Sequence, residues 1–157
     1  MRSLRQTLES GHFAVTAELT PPREPNLDSL TVAAKVLKPA VTAINLTDGA
    51  GARVRVSSLA AAIHLRQLGI EPILQMTCRD RNRIAIRSDL LAAAAFGIES
   101  VLTLSGDGVE AGDQPEAKPV FDLDSTTLLA TIRDMSSDST TMDARERTQA
   151  PVFFRGA

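Results

Sequence analysis

Tryptophan and tyrosine are absent from this 157-residue sequence, and five phenylalanines are its only benzenoid side chains. Proteins that hold single-stranded nucleic acid stack bases on such rings, so that class of partner is disfavoured. An excess of one charge is missing as well. With 17 basic and 19 acidic side chains the net charge is -2, too little to gather nucleic acid or an anionic membrane. No apolar run approaches the roughly 18 residues of a membrane-spanning helix, and "MRSLRQTLESGHF" lacks the apolar stretch of a secretion signal. A single cysteine, Cys78, cannot staple the fold internally and suits a reducing compartment. These absences lead to the expectation of a cytoplasmic protein with neither nucleic acid nor membrane as a partner. Two histidines and one cysteine at unrelated spacing provide no zinc pattern, and the acids after Asp107 lack the EF-hand order, so no metal is expected.

What remains is a globular balance of 43% hydrophobic and 23% charged residues, in a length that suits one domain spanning 1–157. From Phe13 onward strand-like and helix-like pieces alternate. "FAVTAEL" ends at the proline-rich "TPPREPN", and "LDSLTVAAKVLK" carries apolar residues at helical spacing until Pro39. "AVTAINLT" predicts a second strand, and Ser57 is placed to cap the helix "SLAAAIHLRQL", which closes at Gly69. "EPILQMT", "IAIRSDLLAAAAF", "SVLTLS" and "DSTTLLATIRDM" continue the alternation, with "PVFF" as the expected fifth strand. "SSDSTTMDARERTQA" is polar without a clear period and reads as a loop or a frayed helix. Such alternation implies a parallel sheet with crossover helices. An open doubly wound sheet fits the length, whereas a full (β/α)8 barrel needs about 250 residues. The phosphate cradles G-x-G-x-x-G and G-x-x-x-x-G-K-[ST] of common open sheets are both missing, which weakens the first choice.

In parallel α/β proteins ligands meet the carboxyl ends of the strands. There the sequence places Glu18, Thr47, Asp48, Gln75, Thr77, Cys78, Ser105 and Asp107. Glu18 lies in an apolar strand beside a proline pair. Shielded from water it would suit general-acid work, and otherwise it would pair with a cation such as Arg23. Asp107, directly after Gly106, is either an acceptor for a ring N–H or hydroxyl of a cofactor, or an ordinary turn aspartate. Thr47, Gln75 and Thr77 offer hydrogen bonds to a heteroaromatic ring, although threonines also favour strands for their shape. Cys78 would be a nucleophile only with a base beside it. Arg53 and Arg55 could meet a phosphate or carboxylate, or remain solvated. Between the fourth strand and the next helix, "GDGVEAGDQPEAKPVFDLDS" packs six carboxylates, two prolines and three glycines into one long loop.

The set "VTAELTPPRE", "NLTDGAGARVRVSSLAAAIHLRQLGIEPILQMTCRDRNR", "GIESVLTLSGD" and "GDQPEAKPVFDLDS" resembles the methylenetetrahydrofolate reductase family of flavin-dependent (β/α)8 barrels. The resemblance implies a partial TIM barrel of four to five β/α units, about the N-terminal half of the family's ring. It implies FAD as cofactor, NADH or NADPH as electron donor, and reduction of 5,10-methylenetetrahydrofolate to 5-methyltetrahydrofolate. By the same resemblance Glu18 is the general acid that protonates the bridging nitrogen of the folate, and Asp107 faces the flavin and helps hold the pterin. Thr47, Gln75 and Thr77 fall where the family contacts the flavin. The long loop then lies over the active-site end, its acids mostly solvating. Gln75 stands where many members carry histidine, and Ser105 where many carry arginine. The family barrel is nearly twice this length. Three expectations stay open on that point: a truncated product without catalysis, one half of a split enzyme completed by another chain or a homo-oligomer, and a compact open-sheet derivative that works alone.

Overall fold

The structure, a computed structural model, describes residues 2–137 and 150–156. Five strands, β1 (Thr16–Leu19), β2 (Ala43–Leu46), β3 (Pro72–Thr77), β4 (Ser100–Leu104) and β5 (Phe154–Gly156), alternate with helices. The helices are α1 (Leu4–Glu9), α2 (Asp28–Leu37), α3 (Ser58–Gln67), α4 (Arg83–Ala95) and α5 (Ser125–Ser136). All neighbouring strands are parallel and their order across the sheet is β1-β2-β3-β4-β5. A doubly wound sheet reverses its strand order at a switch point. Here there is no reversal, and the order is that of consecutive units of a (β/α) barrel. The length had favoured the open sheet, but the strand order decides against it.

Local sequence explains most element ends. Ser57 accepts from the Ala60 amide at 3.2 Å to cap α3, and Asn82 accepts from the Ile84 and Ala85 amides to cap α4. Gly69 and Gly97 follow α3 and α4 at φ 67° and 72°, a left-handed turn that glycine enters without steric cost. The helix α1 precedes the point where the alternation was expected to start. Its signal is a capping box, with Ser3 and Gln6 bonding each other's backbone amides. The fifth strand begins at Phe154 rather than covering Pro151–Phe154. Proline has no amide to donate to a ladder, and pairing starts where the Phe154 amide reaches the Glu99 carbonyl at 2.8 Å. Phe153 is instead buried in the core. The polar segment following α5 lies, apart from its ends, outside the described residues.

The two faces of the sheet differ. Ile44, Leu46, Leu74, Met76 and Val101 point to the helices and pack with Leu30, Leu65, Leu90, Leu128 and Ile132 in one core. Each fully buried aliphatic side chain of this kind contributes about 1.5–3 kcal/mol. Side chains alternate along a strand, so the register puts Glu18, Asn45, Ile73, Ser100 and Phe154 in one row on the opposite face. In a closed barrel that face lines the interior. Here β1 and β5 remain edges among the described residues.

The long loop between β4 and α5 lies across the carboxyl ends of the strands, as expected, but its acids do more than solvate. Asp113 pairs with Arg23, which follows β1, and accepts from the Val54 amide, which follows β2, at 3.0 Å. Asp122 accepts from the amide and guanidinium of Arg83 at 2.9 Å, and Asp124 caps α5. Gly112 is the closest approach. A Cβ added there would overlap the carbonyl oxygen of Ala52, although the backbone φ of -100° suits any residue. Substitution Gly112→Ala is therefore expected to lift the loop off the rim and to cost about 1–3 kcal/mol through overpacking. Faster proteolytic cleavage of the loop and a lower melting temperature would show it; unchanged values of both would mean that the loop does not rest on Ala52.

Candidate functional site

Glu18 is exposed on the sheet face opposite the helices rather than shielded within the strand. This corrects the expectation of a partly buried acid, and the reason is the open ring: the strands that would face β1 across a barrel are not among those described. The alternative pairing with Arg23 is not made either, since Arg23 is held by Asp113. Two amides hold Glu18 instead. Asn45 Nδ2 donates to Oε2 at 3.1 Å and Gln75 Nε2 donates to the same oxygen at 2.9 Å. Oε1 is left without either donor. Gln75 is buried, so its position is fixed while the carboxylate it holds is accessible. Gln75 thus supplies a donor at this point.

Beside this carboxylate two polar atoms lack partners. Thr47 Oγ1 and Asn45 Oδ1 are buried and make no hydrogen bond. A buried polar atom left unpaired costs roughly 1–3 kcal/mol, so two of them beside one carboxylate set this part of the face apart. Asn45 was not anticipated from the sequence. Its signal was only that it lies on the same face of β2 as Thr47, and its link to Glu18 comes from the register between β1 and β2.

Thr77 and Asp48 form a separate cluster. The Asp48 carboxylate accepts from the Thr77 amide and hydroxyl, both at 2.9 Å, and from the Ser58 hydroxyl at 3.1 Å. Arg81 closes it with contacts of 2.7 and 3.2 Å. Burial by itself would raise the Asp48 pKa, but the Arg81 hydrogen bond and charge, with the two Thr77 donors, bring it below the ordinary carboxylate value. The Thr77 hydroxyl proton is therefore already used within the protein. Asp107, exposed at the mouth of β4, accepts from the Gly51 amide at 2.9 Å and so ties the loop after β2 to the loop after β4. Ser105 Oγ accepts from the Ser125 amide at the start of α5.

Cys78 is buried, and its thiol is pushed up to about 11, first by burial and then by the charge of Asp124. A thiol so held is protonated near neutral pH and is a poor nucleophile. His64 Nε2 lies 2.7 Å from the Thr31 hydroxyl of α2, outside the rim. Among the described residues there is no group of three or more histidine, cysteine or acidic side chains able to hold a metal, and no helix long and apolar enough to cross a membrane.

The structure thus brings Glu18, Asn45, Thr47 and Gln75 together on the face opposite the helices. Asp107 and Thr77 stand at the same rim, each already bonded within the protein. Comparison with protein-family models matches residues 3–144 to the family described as methylenetetrahydrofolate reductase. No curated protein matches the chain.

Proposed function

Because the chain belongs to the methylenetetrahydrofolate reductase family, we propose that its five strands are the acid-bearing part of a flavin-dependent reductase barrel that is inactive until further parallel strands complete the ring. Either the same polypeptide or another supplies those strands. The observation that carries this reading is the Glu18 carboxylate fixed by Asn45 and Gln75 on the sheet face opposite the helices, with β1 and β5 as open edges among the described residues.

In the completed barrel, Thr47, Gln75 and Thr77 lie where the flavin would be held, with Asp107 toward its ring and the folate pterin. FAD, when bound, supplies the hydride chemistry, with NADH or NADPH as electron source. The protein supplies position and a proton. Glu18 Oε2 is occupied by two donors, so Oε1 is the oxygen that carries a proton to the bridging nitrogen of 5,10-methylenetetrahydrofolate and opens its ring. The reaction yields 5-methyltetrahydrofolate. The open interior supports the need for a closing partner, since a reaction of this kind gains from excluding water.

Titration of the purified chain with FAD, followed by visible absorption with the particle mass recorded, tests the reading. The chain alone is expected to bind no stoichiometric flavin, and mixing with the later strands of a family member is expected to restore a perturbed flavin spectrum. Stoichiometric binding and folate turnover by the 157-residue chain alone would overturn it.

A further inference from the structure

A pocket of about 250 Å³ lies at the rim away from the sheet face that carries Glu18, between the loops after β2 and β3 and the long loop after β4. Four arginines and two aspartates line it. Two of the arginines are committed. Arg79 is paired with Asp80 at 2.7 Å, and Arg81 with Asp48 at 2.7 Å and with Asp89 at 3.0 Å. The two aspartates are consumed by these pairs, so the remaining guanidiniums, Arg53 and Arg55, leave a surplus of positive charge.

Their donors are largely free. Arg53 is exposed and has no acceptor among the described residues. Arg55 places Nη1 on the Pro21 carbonyl at 3.2 Å, while its Nε is buried without a partner. A buried charged donor left unpaired is costly, and nothing in the protein offsets it. Ser57, the cap of α3, also lines the pocket, so the positive end of that helix adds to the same field.

We infer that this pocket binds a phosphate-class dianion, either the free anion or the phosphate group of a larger ester. Two guanidinium forks and the first turn of a helix line the same pocket, a set of donors that suits the several oxygens of phosphate. A planar carboxylate is satisfied by one fork alone. Arg53 and Arg55 are the lining cations that no carboxylate pairs among the described residues, and they offer that charge to an anion. The inference does not depend on flavin or folate, and it is tested without either.

The test is isothermal titration of the purified chain with inorganic phosphate, ribose 5-phosphate and glutarate, with ionic strength held constant by chloride. Saturable phosphate binding is expected. Each of Arg53→Gln and Arg55→Gln is expected to weaken it about tenfold, the size of one charge-assisted hydrogen bond. Arg5→Gln, which removes an exposed pair with Glu9 on α1, should leave it unchanged. Arg53→Gln removes no internal contact, so its effect is read on a folded protein even if Arg55→Gln loosens the Pro21 contact. Tighter binding of ribose 5-phosphate assigns the pocket to an ester, and tighter binding of inorganic phosphate to the free anion. Absence of saturable binding, equal binding by wild type and Arg53→Gln, or glutarate binding as tightly as phosphate would each overturn the inference.

Discussion

Substitution of Asp48 with alanine is expected to destabilise the protein by about 3–5 kcal/mol, the usual loss when one partner of a buried ion pair is removed. The carboxylate is the meeting point of Thr77 on β3, Ser58 at the start of α3 and Arg81 in the loop before α4. Its side chain is only 6% exposed. Alanine would leave a buried hydroxyl on each of Ser58 and Thr77 and the Thr77 amide without their acceptor, and would leave Arg81 with Asp89 as its remaining carboxylate partner. For a chain of this size the melting temperature should fall by roughly 10 °C. Asp48→Asn keeps one acceptor oxygen but turns an amide group toward Arg81, and should lie between wild type and alanine. The sign of the pH dependence follows from the lowered pKa. An acid whose folded pKa lies below its unfolded value contributes stability that is present above the unfolded value and is lost as the pH falls through the folded one. Wild type should therefore lose stability below about pH 4, and the two variants should show a flatter acid limb. Denaturant melts at several pH values measure this. Parallel acid limbs in wild type and Asp48→Ala would mean that another carboxylate controls the acid transition.

Substitution Glu18→Gln, in a barrel completed by the later strands of a family member, is expected to lower folate reduction by about 10²–10⁴-fold, the usual share of a positioned proton donor. The replacement is conservative for structure. Its amide oxygen still accepts from Asn45 Nδ2 and Gln75 Nε2, while the group that replaces Oε1 is no acid. Flavin binding and the reduction of bound flavin by the nicotinamide should be unchanged, since neither uses that proton. Glu18→Ala should add a stability loss of about 1–3 kcal/mol, because it strips the buried Gln75 amide of its acceptor. Separate measurement of the two half-reactions in stopped flow distinguishes these effects. Full folate reduction by Glu18→Gln would assign the proton to another group.

The alternation of strands and helices was legible because each element carries its own signals. Apolar runs of strand length are bounded by prolines and glycines, and Ser57, Asn82 and Asp124 cap the helices that follow them. The fifth strand was misplaced because its extent is set by a neighbour. Three residues pair with Ser100, Val101 and Leu102, and no local pattern in "PVFFRGA" states that register. The helix α1 was passed over because six residues contain too little periodicity to stand out, although its capping box was present.

The candidate site was only partly legible. Glu18, Thr47 and Gln75 fell at strand ends, where parallel sheets bind ligands, and Asp107 followed a glycine at the mouth of β4. The role of Asn45 depends on a cross-strand contact with Glu18, and that of Asp48 on three segments of chain converging. The acids of the long loop could not be distinguished from solvated ones by composition, because their partners Arg23, Val54 and Arg83 lie 39 to 90 residues away.

By itself the sequence determined the element types, most of their boundaries and the resemblance to a reductase family, since these rest on local propensity and on short motifs. Only the tertiary structure decided between an open doubly wound sheet and a barrel segment, because both share the same alternation and differ in strand order. It likewise decided which oxygen of Glu18 is free and which arginines are unpaired, for hydrogen-bond partners distant in sequence are set by packing and register.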